Sequence, residues 1–229
     1  MNDLELMALH CDALYVHSDD QDLVCVNDWL RRPAPALWLG MTAHGVLVRF
    51  RQDVPADTRR RVELLIAQEP REPLPDGRPR HHDGYCSLVG SLDAVAGPTY
   101  WLPSPTALPD PPEHRVAAAD AALLRDSALA DWIPDIPHQQ PMFVSTRQGR
   151  AVAVCASVRM TPRAHEAGVE TAPNHRRQGH AGAVVGAWAR ALLASSIVPL
   201  YSTSWENLAS RHLAESLGFR PFGWEYRVG

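Results

Sequence analysis

Residues 165–181 read HEAGVETAPNHRRQGHA, and the run GAVVGAWARALLA follows at once. HEAGVET has the length and flanks of a strand, and Pro173 stops it because proline cannot donate to a ladder. After the polar NHRRQ the apolar positions Ala181, Val184, Val185, Trp188 and Leu192 recur at helical spacing and form one face. Arg176, Gly179 and Ala181 therefore fall on the spacing R-x-x-G-x-A at a strand-to-helix junction. The first amides of a helix lack intrahelical acceptors and sit at the positive end of the macrodipole, so such a turn holds an anion, phosphate above all. Gly179 permits close approach of a ligand. The plainer alternative is an ordinary strand-loop-helix turn with exposed arginines.

Outward from this junction the chain alternates strands and helices. Upstream, PMFVSTRQG and RAVAVCASVRM flank a Gln-Gly-Arg turn and predict an antiparallel pair, with HEAGVET as the next strand. Before them EHRVAAADAALLRDSALADWI predicts a helix over 113–133, ended by Pro134 and Pro137. Downstream come the strand PLYSTSW, then NLASRHLAESLGF at 207–219 as a helix with Asn207 as N-cap and Gly218 just past its end, then the strand FRPFGWEYRV. The first seventy residues read as two hairpins and a helix, a small ββββα unit. Half of the 20 prolines fall between Pro70 and Pro112, so regular structure there is short: GYCSLVGSL is a short helix or strand and GPTYWLP a strand. His81 and His82 read as a solvated linker pair.

Composition narrows the chemistry. A 229-residue chain with 45% hydrophobic residues supports a proper core, and a net charge of -4 carries no basic footprint for nucleic acid. All 22 basic residues are arginine, which removes Schiff-base lysines and a Walker-type phosphate lysine. Cys11, Cys25, Cys86 and Cys155 are far apart, without metal-ligand spacing, and read as reduced thiols. No metal is expected. No apolar run is long enough to span a bilayer and the first residues are acidic, so the expected compartment is the cytoplasm, with no membrane partner.

Residues 165–181 together with NLASRHLAESLGF resemble the acetyl-CoA site of the GNAT superfamily of N-acetyltransferases, whose signature is Q/R-x-x-G-x-G/A. The resemblance covers roughly residues 98–229. It implies an α/β (α+β) fold, a mixed and mostly antiparallel sheet flanked by helices, behind the N-terminal unit. The expected division is a β-rich domain at 1–70, a Pro-rich linker at 71–97 and an acetyltransferase domain at 98–229.

The same resemblance implies roles for particular residues. Backbone amides of Arg177, Gln178, Gly179, His180 and Ala181 would hold the CoA pyrophosphate, with Arg176 shaping the turn. The backbone of Val169 and Thr171 would pair with the pantetheine arm, where a strand N–H polarises the thioester carbonyl. Asn207 would contact the CoA arm as well as cap its helix. An amine nucleophile must lose a proton, and His165, Glu166 and Glu170 are the candidate bases, the first two ranked ahead of the third. The tyrosine that many members carry as acid for the departing thiol is here Ala214, leaving Ser210, Tyr201 or Tyr226 as substitutes. The Pro-rich segment ADWIPDIPHQQP, 130–141, offers Asp131, Trp132 and Asp135 to a cationic amine. The activity implied is acetyl transfer from acetyl-CoA, a co-substrate, to a primary amine of a small molecule or peptide by direct attack. The alternative from another class is a non-catalytic acyl-CoA-binding or regulatory module. Substrate specificity, homodimer formation and a structural role are all open for the first seventy residues.

Overall fold

Short runs of β-branched and aromatic residues between turn residues set the strands of this protein. Its computed structural model describes residues 1–105, 114–117 and 120–229. Contacts group these into two units: residues 1–100 with 202–211 and 221–229, and residues 101–201 with 212–220.

The first unit opens on a helix that the hairpin pattern did not announce, α1 (Asp3–Leu14). Asn2 and Glu5 form a reciprocal capping box at its start. Leu6, Met7, Leu9, His10, Cys11, Ala13 and Leu14 are all buried, so its apolar positions wrap more than one face and blur the 3.6-residue period. The two expected hairpins follow: β1 (Tyr15–His17) with β2 (Leu23–Val26), and β3 (Leu37–Thr42) with β4 (Gly45–Phe50), both antiparallel. The expected helix is α2 (Ala56–Ile66). The first seventy residues are thus αββββα rather than ββββα.

The segment expected as a linker holds α3 (His82–Val89), ended by Gly90 at φ +72°, and α3 sends Tyr85 and Cys86 into the core of this unit. β5 (Ala94–Trp101) and the last strand, β11 (Arg220–Val228), complete a sheet run ordered β4-β3-β11-β5. β11 lies antiparallel to β3 from Trp224↔Met41 to Val228↔Leu37. Leu37, Leu39, Met41, Tyr85, Trp224, Tyr226 and Val228 meet in one buried cluster.

The second unit contains β6 (His114–Arg115), α4 (Ala122–Arg125), β7 (Met142–Arg147), β8 (Arg150–Met160), β9 (Ala164–Thr171), α5 (His180–Ala194) and β10 (Val198–Ser202). The strand order is β10-β9-β8-β7-β6, with β9 and β10 parallel and the other pairs antiparallel. The long helix expected over 113–133 does not form. Its start is the edge strand β6, paired to Val144 and Phe143, and only α4 and a 3-10 turn (Ala130–Asp135) are helical; residues 113 and 118–119 lie outside the described ones. Helix propensity is worth only a few tenths of a kcal/mol per residue, less than an edge ladder plus buried Val116 and Leu124 provide.

α5 lies against β7, β8 and β9, with Val184, Val185, Trp188 and Leu192 buried and Ala181 half-buried. α6 (Leu208–Ser216) precedes β11. Among the described residues no helix is long and apolar enough to cross a membrane.

Candidate active site

The turn between β9 and α5 is built by backbone conformation rather than by side-chain caps. After Thr171 the chain makes a 3-10 turn (Pro173–His175), extends at Arg176 (φ -67°, ψ 155°), and enters the left-handed region at Arg177 (φ +59°) and Gly179 (φ +83°). Gly179 is the N-cap of α5 and offers no side chain to its first-turn amides. Those N–H groups are orphans of the helix start, held at the positive end of a 15-residue dipole. A Cβ built on Gly179 would meet nothing within 4 Å, so the space over the turn is open. Two side chains brace the loop from below: Arg176 Nε reaches the Thr171 carbonyl at 3.5 Å, and Gln178 Nε2 donates to the Asn174 carbonyl at 3.2 Å.

A second opening lies along β9. β10 pairs with it over Val198–Leu200 against Ala164–Glu166, whereas β9 runs on to Thr171. On its other side Val169 and Thr171 pair with Cys155 and Ala153 of β8. The far half of β9 therefore carries ladder groups that β10 does not take, where an extended ligand arm can add as a strand does. The register shifts between Ser157 and Arg159, which leaves Val158 as an extra residue opposite Ala167 and Glu166. Gly168 answers that bulge, since a Cβ there would run into Val158 and press on Trp132.

The three candidate bases occupy different environments. His165 is 9% exposed; its Nδ1 lies 2.8 Å from Ser157 Oγ, which accepts from Trp188 Nε1 at 2.9 Å. Burial lowers its pKa, and a hydrogen bond to the Thr161 backbone partly offsets that. The imidazole is part of the packing under α5. Glu166 is 3% exposed. Glu170 is exposed, and its Oε2 accepts from Trp132 Nε1 at 2.7 Å. Alternation puts Glu170 and Gly168 on the face of β9 away from His165 and Trp188, and Trp132 covers that face with exposed Asp131 and half-buried Asp135 on the same 3-10 turn.

The remaining candidates are distributed over both units. In the first, Asn207 Oδ1 accepts from the Ser210 amide at 3.1 Å, the capping bond expected of it, and Ser210 itself is half-buried. Tyr226, in the same unit, is buried and its hydroxyl shares a 2.8 Å hydrogen bond with His82 Nδ1; burial pushes its pKa up. In the second, Ala214 is fully buried and Tyr201 is 2% exposed against Phe219.

His82 is thus no solvated linker residue: it touches Tyr226 and stands one helical turn before Cys86, whose Sγ lies 3.9 Å from its ring. The spacing H-x-x-x-C on a short helix was the available signal. Ser145 and Ser157, the serines that hold His180 and His165, have no sequence signature beyond their strands.

Beside the turn a cavity of about 620 Å³ is lined by Arg147, Arg150, Asn174, His175, Gln178 and Asp126, among others. Its charged rim is mostly cationic on a chain that is acidic overall. Among the described residues no group of three or more His, Cys, Asp or Glu is placed to hold a metal. All four cysteines are free, and burial pushes the Cys11 and Cys155 thiols up, away from nucleophilic use.

A family model described as GNAT acetyltransferase matches residues 142–228. No curated protein matches the chain. Among solved structures, an acetyltransferase of the GNAT family from Colwellia psychrerythraea is 14% identical, with 99% of this chain and 95% of that one covered at a TM-score of 0.50. A GCN5-related N-acetyltransferase-like protein from Streptococcus suis 89/1591 is also 14% identical, covering 86% and 85% at a TM-score of 0.50. A putative acetyltransferase of the GNAT family from Novosphingobium aromaticivorans is 20% identical over 60% of this chain at a TM-score of 0.49, and the match spans 65% of that protein, under two thirds of its length. At such identities the likeness to the first two shows a shared fold.

Proposed function

We propose, for a chain whose residues 142–228 match a GNAT acetyltransferase family model, that it carries out the acyl transfer of that family by moving an acetyl group from acetyl-CoA to a primary amine. The observation that carries this reading is the uncapped N-terminus of α5 behind left-handed Arg177 and Gly179. In it, amides from Arg177 to Ala181 receive the pyrophosphate, and the unpaired edge of β9 near Val169 and Thr171 receives the pantetheine arm. The amine nitrogen attacks the thioester carbonyl carbon, a strand N–H stabilises the oxyanion, the C–S bond breaks, and the CoA thiolate leaves and takes a proton from solvent. Glu170 is the base we assign, because it is exposed and held by Trp132 Nε1, whereas the His165 ring is engaged in the core. Asp131 and Asp135, near Trp132, suit a cationic acceptor.

One observation favours the second reading, a CoA-binding module without turnover: a fully buried methyl, Ala214, stands where many members carry the tyrosine acid. Calorimetry with acetyl-CoA, combined with thiol release over a panel of amines, separates the two. Binding with thiol release supports the transferase, and binding without release on any amine class supports the module. Gly179→Ala is expected to weaken acetyl-CoA modestly through about 1–2 kcal/mol of left-handed strain. Gly179→Glu fills the open space with like charge and is expected to abolish binding. Unchanged affinity in Gly179→Glu would sink the site itself.

A further inference from the structure

His180 is the first residue of α5, so its amide belongs to the open turn while its ring turns inward and is 4% exposed. Nδ1 lies 2.9 Å from Ser145 Oγ on β7. Nε2 is buried and, among the described residues, has no hydrogen-bond partner. A buried ring nitrogen left unmatched costs about 1–3 kcal/mol, so its persistence calls for a reason.

The titratable groups that face the ring are Arg147 on β7 and His175 on the loop, the latter with its ring centroid 6.0 Å away. Both disfavour a proton on His180, and burial, the largest influence, acts in the same direction. The positive end of α5 adds a third unfavourable field. Among the described residues no carboxylate compensates them. What the pocket lacks is negative charge, and an anion docked on the first-turn amides supplies it within one turn of the ring.

We propose that His180 is a proton-linked positioning residue of the anion turn: it stays neutral while the turn is empty and takes up a proton from solvent when a phosphate group docks on the amides of α5. This rests on the turn being the anion site of the proposed function. By reciprocity, a proton on His180 strengthens anion binding by the factor with which the anion strengthens the proton. A rise of about one unit in the His180 titration midpoint on binding corresponds to about tenfold tighter anion binding at acid than at alkaline pH. Ser145 fixes the ring so that the charge appears beneath the turn rather than in solvent.

The test is a carbon-13 NMR titration of the histidine rings of the full chain, with His180 assigned through the backbone, in buffer alone, with inorganic pyrophosphate and with CoA. A His180 midpoint about one unit higher with both probes is the expected result. Pyrophosphate raising the midpoint while CoA fails to bind would uphold the coupling and remove the acetyl-CoA reading. Binding of CoA with the midpoint unmoved overturns the coupling and leaves the acetyl-CoA reading standing. Failure of both probes to bind removes both. Calorimetry gives a second readout: CoA affinity should weaken several-fold from pH 5.5 to pH 8 in the intact protein. In His180→Gln that dependence should vanish, and its full retention there counts against the proposal.

Discussion

At the level of single residues, half-buried Glu225 and buried His165 both lose their contribution to stability as the pH falls, by opposite routes. Burial alone would raise the Glu225 carboxyl, but His10 at 3.3 Å, Arg227 and the Trp38 Nε1 donor at 2.8 Å hold it down to about 2. Its folded pKa lies below its unfolded value, so its contribution is present above about pH 4.5 and is lost as the pH falls towards 2. Glu225→Gln should cost about 2–4 kcal/mol at pH 6, because it removes the carboxylate that faces fully buried His10 and the Trp38 Nε1 donor. In chemical denaturation at several pH values the gap to the parent should close near pH 2; a constant gap would show that the charge contributes nothing.

His165 has the same sign, but here it is the neutral form that the fold favours. Burial lowers its pKa below 6.5, so the unfolded chain binds more protons and stability falls as the pH drops through 6.5. His165→Asn should cost about 1–3 kcal/mol by leaving Ser157 and Thr161 unmatched, yet leave turnover within a few-fold. Glu170→Gln should do the opposite, with a loss in kcat of about a hundredfold or more at intact stability. Interchanged outcomes would restore His165 as the base.

Among elements, β9 carries the most consequence, and Gly168 is where its packing is tightest. Gly168→Val puts branched carbons into Val158 and against Trp132, an overpacking expected to cost about 1–3 kcal/mol. Because Trp132 holds Glu170, turnover should fall further than thermal stability does. Equal losses in both would make Gly168 a packing residue alone.

The same element shows why part of the site was readable. Pro173, Gly179 and the apolar face of α5 are local signals, and the turn lies where they place it. The burial of His165 depended on Ser157 and Trp188, residues brought together only by sheet and helix packing. α1 was missed because burial on several faces erased its period, although Asn2 and Glu5 announced its start. The expected helix over 113–133 failed for the converse reason: alanines favour helix locally, and pairing of His114 and Arg115 to β7 prevailed.

At the scale of the whole molecule, the chain's end returns to its beginning. β11 pairs with β3, and Trp38 donates to Glu225 across 187 residues of sequence. No local pattern encodes that pairing, which is why a boundary drawn at 97/98, where the resemblance begins, separates strands that share one hydrogen-bonded run. A fragment of residues 98–229 keeps every element of the second unit but strips β11 of β3 and of the Arg71 carbonyl that accepts from Trp224 Nε1. It exposes Trp224, Tyr226 and Val228, all at most 5% exposed in the intact chain. Burial of three such side chains contributes about 5–9 kcal/mol, a large part of the roughly 5–15 kcal/mol by which a protein of this kind is stable. The fragment should therefore bind a hydrophobic dye and melt without a cooperative transition, while the full chain melts cooperatively. A fragment that unfolds cooperatively near the midpoint of the full chain would mean that the first hundred residues are dispensable to the acetyltransferase fold.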